Sequence, residues 1–229
     1  MESLRMLRFS QLLDSALPVG GFSHSFGLET YCVEGKIVTG GDLEQYLLSQ
    51  LQSGSVSLEG LAMKGIYEAA ERRDSGEMAR IDHILHAQRG SRESREGVQK
   101  MGKRLLKLSR SLYPELSCRL MDEAVSLHRT PCTFPAVLAW LGKELNVPVQ
   151  DTVCGYLYIS VMGAANAGLR LMSIGQTEVQ SIISRVLPEI CREWERVRER
   201  TLDDISSIGV VQEIYAMRHE TLHSRLFMS

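Results

Sequence analysis

Apolar residues recur at helical spacing along almost the whole chain, and few segments alternate with the two-residue period of a half-buried strand. Between Arg92 and Leu112, the residues Val98, Met101, Leu105, Leu108 and Leu112 follow a three–four spacing that lines up on one stripe of a helix. Leu4, Leu7, Phe9 and Leu12 do the same near the start, and Leu43, Tyr46, Leu47 and Leu51 further on. A chain patterned in this way buries its apolar surface by packing helix on helix. The expectation is an all-α fold: a single-domain bundle of about ten helices covering residues 1–229. No repeat, low-complexity linker or break in composition divides it.

Helix boundaries follow from the punctuating residues. Pro18 biases Leu17 away from the helical region, so the first helix stops by about Ser15. Ser25 is the expected cap of a short second helix, with Glu29 near its positive end and Gly35 closing it in the left-handed conformation. Asp42 caps the third helix, and Gly54 is expected to interrupt before a helix over 56–73. Further helices are expected over 77–89 and 92–112, then one with Pro114 in its first turn reaching Leu127, and one begun by Thr133 and Pro135. Two longer elements follow, over 151–173 and 176–200, the second disturbed by Pro188. A last helix over 208–219 leads into a tail, and residues 219–229 are expected to order when a partner binds.

Composition removes several function classes. A net charge of −2 argues against general affinity for nucleic acid. Five cysteines (Cys32, Cys118, Cys132, Cys154 and Cys191) are scattered without a Cys-x-x-Cys spacing. That fits packed thiols in a reducing compartment better than a disulfide frame or a zinc site, and Cys32 and Cys191 read as core positions. The first residues, with Glu2, Arg5 and Arg8, lack the apolar run of a secretory signal, so a cytoplasmic location is expected. Thr152 to Leu169 is uncharged but rich in small residues and short of the ~20 apolar residues of a span; it reads as a core helix, not a membrane segment.

No catalytic pattern holds. His219, Glu220 and His223 spell His-Glu-x-x-His, yet the six residues that follow contain no third metal ligand. His83 and His86 lack a placed glutamate, Gly163–Gly168 lacks the lysine and hydroxyl of a phosphate loop, and no serine sits in Gly-x-Ser-x-Gly. The expectation is a protein that is not an enzyme, with no metal ligand and no cofactor of its own.

One stretch is unusual for a connecting loop. LPVGGFSHSFGLE, Leu17–Glu29, belongs to a run without formal charge from Ala16 to Leu28, yet carries Phe22 and Phe26 beside Pro18, Gly20, His24 and Ser25. Loops are normally polar and lie at the surface. The two phenylalanines either fold back into their own core or anchor another protein. Arg225, Leu226 and Phe227 lie beyond the last helix and pose the same choice between a frayed end and a docking segment. Arg92, Arg95, Lys103, Lys107 and Arg110 form either a solvated face or a surface for an acidic partner.

Three segments in order resemble the UreF family of urease accessory proteins: DSALPVGGFSHSFGLET at Asp14–Thr30, GLRLMSIGQTEVQSII at Gly168–Ile183, and RHETLHSRLFMS at Arg218–Ser229. RESREGVQKMGKRLL at Arg92–Leu106 is a weaker fourth match. Departures are Met172-Ser173-Ile174, Glu178-Val179 and Met228, where the family more often has other residues. The resemblance implies an all-helical, non-catalytic, dimeric scaffold for nickel insertion. It would join the UreD/UreH accessory protein and recruit the UreG GTPase, serving urease apoprotein through the complex, with nickel handled by the assembly and GTP bound by the partner. An alternative within the family is regulation of the partner's GTP hydrolysis, as activator or fidelity check, with an arginine supplied in trans. Carried onto this sequence, the partner-binding residues are Pro18, Gly20, Phe22, His24, Ser25, Phe26, Glu29, Gln176, Gln180, His219, Glu220, Arg225, Leu226 and Phe227. Gln176 and Gln180, one turn apart, either bond across an interface or merely begin a helix.

Overall fold

Every residue from Phe134 to Gly142 is buried in α8 (Phe134–Glu144), and the rest of the molecule is arranged around that fact. A helix apolar on all sides needs neighbours on all sides. Pro135 sits in its first turn, where the missing N–H has no intrahelical partner to lose. The computed structural model describes residues 2–229 and is helical throughout, with no strand among the described residues.

Before α8 come α1 (Glu2–Leu12), α2 (Leu28–Val33), α3 (Gly40–Gln50), α4 (Leu61–Glu71), α5 (Ser75–Gln88), α6 (Arg92–Leu112) and α7 (Arg119–His128). After it come α9 (Val149–Leu171), α10 (Gln176–Val197) and α11 (Val210–Arg218). Helices α4, α6 and α9 pack against α8, and α10 lies against α9 and α3. Gly102 lets α6 approach closely, since a Cβ there would fall 2.1 Å from the Cys132 carbonyl oxygen. The buried Asp82 carboxylate accepts from Thr130 Oγ1, Cys132 N, and the N and Oγ1 of Thr133, tying α5 to the entry of α8.

Several boundaries differ from the sequence expectation. Gly54 breaks nothing: α3 and α4 are joined by a π-helical stretch, Leu51–Gly60, into one rod, which brings the helix count among the described residues to ten. The missing Gly54 side chain is used for packing, because a Cβ would sit 2.7 Å from Ser207 Oγ. Pro114 does not open α7; it falls in a turn closed by the Leu116 N–H on Tyr113 O, while the Tyr113 hydroxyl donates to Arg8 O. Pro188 leaves α10 unbroken, because it lies on the exposed face where the carbonyl it cannot bond meets water. Ser25 is not the cap of α2. Gly27 is, with φ +94°, and Gly35 takes φ +67° as expected. Cys191 is exposed, a correction to its reading as core, because α10 buries its Ile190 and Trp194 stripe instead. No described helix is long and apolar enough to cross a membrane.

Candidate docking site at the meeting of the two chain ends

The loop of residues 17–29 turns through three left-handed residues: Gly20 at φ +92°, Phe26 at +49° and Gly27 at +94°. Gly20 is favoured by its left-handed backbone; a Cβ there would also displace the end of the Arg104 side chain, 2.2 Å away at Nη1. At Gly27 a Cβ would come 2.9 Å from the Ala216 nitrogen, so glycine lets α2 sit directly on α11. Phe26 adopts its unfavourable conformation without that excuse, and is held by stacking on His24 with ring centroids 5.3 Å apart.

The tail closes over this loop. The main-chain oxygen of Ser229 accepts from Ser25 N at 2.6 Å, Phe26 N at 3.0 Å and Ser25 Oγ at 2.8 Å. Met228 N donates to Ser23 O at 2.8 Å, and Ser229 Oγ lies 2.7 Å from His24 Nδ1. The end of the segment expected to order on partner binding, Met228–Ser229, is thus bonded within this chain.

Beneath this lock sits a cluster of ionisable side chains with Glu29 and His219 buried at its centre. Glu29 accepts from Leu226 N at 2.6 Å through Oε1, and from Phe227 N at 3.1 Å through Oε2. His219, fully buried, brings Nε2 to 2.8 Å from Glu29 Oε2 and Nδ1 to 2.9 Å from Glu93 Oε2. Arg225 completes the set by donating to Glu93 Oε1 at 2.7 Å. Burial pushes the Glu93 carboxyl up, but its bonds to His219 and Arg225 outweigh burial and hold it below the usual carboxylate range. Burial, with the Lys100 and Arg104 cations near, lowers His24 to about 4, so its ring is neutral near pH 7.

With both ring nitrogens of His219 on carboxylates and His223 exposed, the His-Glu-x-x-His pattern is not presented as a ligand pair. Glu220 instead pairs with Arg92 at 3.1 Å.

The aromatic residues divide. Phe227 is 5% exposed and Phe26 half-buried, whereas Phe22 is 73% exposed. The Arg170 guanidinium lies 4.3 Å from the ring centroids of both Phe22 and Phe227, and donates to Phe22 O at 3.0 Å. One cation from α9 thus pins loop and tail together. Leu226 and Met228, on either side of the inward Phe227, point outward and are exposed with Phe22. Below the loop, a cavity of about 580 Å³ reaches Glu59, Arg89 and Tyr156. There Arg89 pairs with Glu59, and Tyr156 Oη donates to Glu59 at 2.8 Å.

The structure brings together Gly20, Phe22, His24, Ser25, Phe26, Glu29, His219, Arg225, Leu226 and Phe227. Pro18 is exposed at the loop's entry, and Glu220 stands at its edge through Arg92. Gln176 and Gln180 do not join them; both are exposed on the first turns of α10. Arg170 and Glu93 belong to the site and were not singled out. Both sit inside segments that carry the family resemblance, which is the signal that could have found them. On the basic face of α6, Arg92, Arg95 and Arg110 are engaged by Glu220, Arg89 O and Asp122, leaving Lys103 and Lys107 exposed.

The fold and this surface define an all-helical bundle whose first loop and last residues are locked into one face by hydrogen bonds centred on the buried Glu29 and His219. A UreF family model matches residues 37–187. A urease accessory protein UreF from Lachnoclostridium phytofermentans is 36% identical over 226 residues, 98% of each chain. Proteins of the same name from Bacillus sp. and Actinobacillus pleuropneumoniae are 34% identical over 230 residues (98% of this chain, 99% of the relative) and 32% identical over 220 residues (95% and 96%). This chain belongs to the UreF family of urease accessory proteins.

Proposed function

We propose that this chain is a non-catalytic scaffold for nickel insertion into urease. It docks a UreD/UreH accessory protein on the loop–tail face and brings that protein together with a UreG GTPase for delivery to urease apoprotein. Nickel is the cargo of the assembly and GTP is bound by the partner; this chain holds neither. In this reading it works as a homodimer in the cytoplasm, and Gln176 and Gln180 contribute to an interface apart from the loop–tail face.

The observation that carries the reading is Phe22 held outward on a rigid base. Burying a phenylalanine side chain stabilises by about 2–3 kcal/mol, the scale of an interface anchor. Arg170, Glu29 and His219 keep the supporting backbone ordered before any partner arrives, which reduces the ordering cost of association.

Co-expression with the two partners, followed by size exclusion with light scattering, tests the reading. The expected result is one complex containing all three proteins that loses the UreD/UreH component on Phe22→Ala. Three proteins eluting separately would refute it. Single-turnover GTP hydrolysis on the same complex separates scaffolding from regulation, because an arginine supplied in trans accelerates hydrolysis by about 10³–10⁵-fold.

A further inference from the structure

Gln150, in the first turn of α9, fixes the register of the antiparallel pair α9 and α10. Its Oε1 accepts from Trp194 Nε1, and its Nε2 donates to Glu195 Oε1 at 3.5 Å and to Cys154 Sγ at 3.7 Å. One turn on along α9 is Cys154; one turn back along α10 from Glu195 is Cys191. The same register therefore sets Cys154 opposite Cys191 across the packed α9–α10 pair. Cys154 is half-buried, Cys191 is exposed, and both are free. Neither belongs to the loop–tail face, and the scaffold role gives them nothing to do.

We propose that Cys154 and Cys191 are an oxidisable dithiol, which a low-molecular-weight disulfide converts into a reversible interhelical bond between α9 and α10. The exposed Cys191 acts first. Its thiolate attacks one sulfur of the small disulfide, a Cys191–sulfur bond forms, and the other half leaves as a thiolate that takes up the proton. Cys154, deprotonated in its turn, attacks the Cys191 sulfur; the mixed disulfide breaks and a second small thiol departs. Two protein thiols have lost two hydrogens, and one small disulfide has become two thiols.

The order of steps follows from the surroundings. Burial, together with Cys191, Asp151 and Glu195, raises the Cys154 thiol to about 12, so it keeps its proton and is the slower partner. Closing the bond requires β-carbons about 3.5–4.5 Å apart; the facing register of α9 and α10 directs the two β-carbons toward each other, and χ1 rotation then brings the sulfurs together. In a compartment that keeps most thiols reduced, such a bond is a transient response to oxidation and not a fixed staple.

The full-length protein is treated with oxidised glutathione and examined by intact mass and non-reducing peptide mapping. The expected product has lost two hydrogens, yields a cross-linked peptide containing residues 154 and 191, and reverts with dithiothreitol. Cys154→Ser should stop at a glutathione adduct on Cys191, and Cys191→Ser should leave residue 154 without adduct or cross-link. The proposal is overturned if the wild type halts at the Cys191 adduct, if Cys154 is modified first, or if the bond formed joins other cysteines or two chains. Because the readout is covalent and needs no partner, its failure leaves the scaffold reading untouched, and the reverse also holds.

Discussion

His219 lies 2.8 Å from Glu29, with its ring fully buried and its other nitrogen on Glu93. Since Glu29 also accepts the N–H groups of Leu226 and Phe227, this one contact ties α2, the end of α11 and the tail into a single unit.

Replacing His219 with alanine leaves the buried Glu29 and the half-buried Glu93 without the ring between them. Leaving a buried acceptor without its hydrogen-bond donor costs about 1–3 kcal/mol. Urea unfolding is expected to show a loss of that order, and limited proteolysis should cut the tail of His219→Ala first. Unchanged stability together with an equally protected tail would show that the lock does not hold the tail.

Phe22 and Phe227 should respond in opposite ways. Phe22→Ala alters an exposed ring, so stability should change by about 0.5 kcal/mol or less, while retention of the UreD/UreH partner in a pull-down falls about tenfold or more. Phe227→Ala empties a buried position and should cost about 3 kcal/mol in unfolding free energy. Equal stability losses in the two variants would make Phe22 a packing residue.

Glycine replacements separate space from backbone strain. At Gly35, φ is +67° and a Cβ would meet nothing within 4 Å, so Gly35→Ala should cost about 1 kcal/mol from conformation alone. At Gly27 the same conformational cost is joined by a collision with the backbone of Ala216. Gly27→Ala should therefore lower the melting temperature by clearly more than Gly35→Ala. A reversed order would mean that α2 and α11 are not packed as described.

Acidification should weaken the fold through two groups with the same sign. His24 is lowered from 6.5 to about 4, so between those values the unfolded chain binds a proton that the folded chain refuses, and stability falls as pH drops through that window. Glu93 is held below the usual carboxylate range, so its contribution is present at neutral pH and is lost on further acidification toward its folded value. Unfolding free energies measured at several values from pH 7.5 to pH 4 should fall continuously, with a shallower slope between pH 6.5 and 4 in His24→Asn. A profile identical in wild type and variant would remove His24 from the account.

Much of the fold was legible because helix formation is written in nearest neighbours. The stripe of Val98, Met101 and Leu105 lies on the packed side of α6, and Gly35 takes the left-handed turn assigned to it. The errors cluster where a distant residue outvotes a local preference. Gly54 has the composition of a break, but Ser207 packs where its side chain would be, and the rod continues. Ser25 has the composition of a cap, but Gly27 takes the N-cap position, and the Ser25 hydroxyl accepts the Glu29 N–H while donating to the main-chain oxygen of Ser229.

Residue order alone sufficed for the helical class, for most helix extents, and for the suspicion that a greasy loop and an aromatic tail matter. That the two are one surface could not be read in advance. Glu29 and His219 stand 190 positions apart, and nothing in spacing or propensity relates residues so distant. Their pairing arises when the helices pack and water leaves the gap, since only then must a buried carboxyl, a buried imidazole and two tail N–H groups find their partners within the protein.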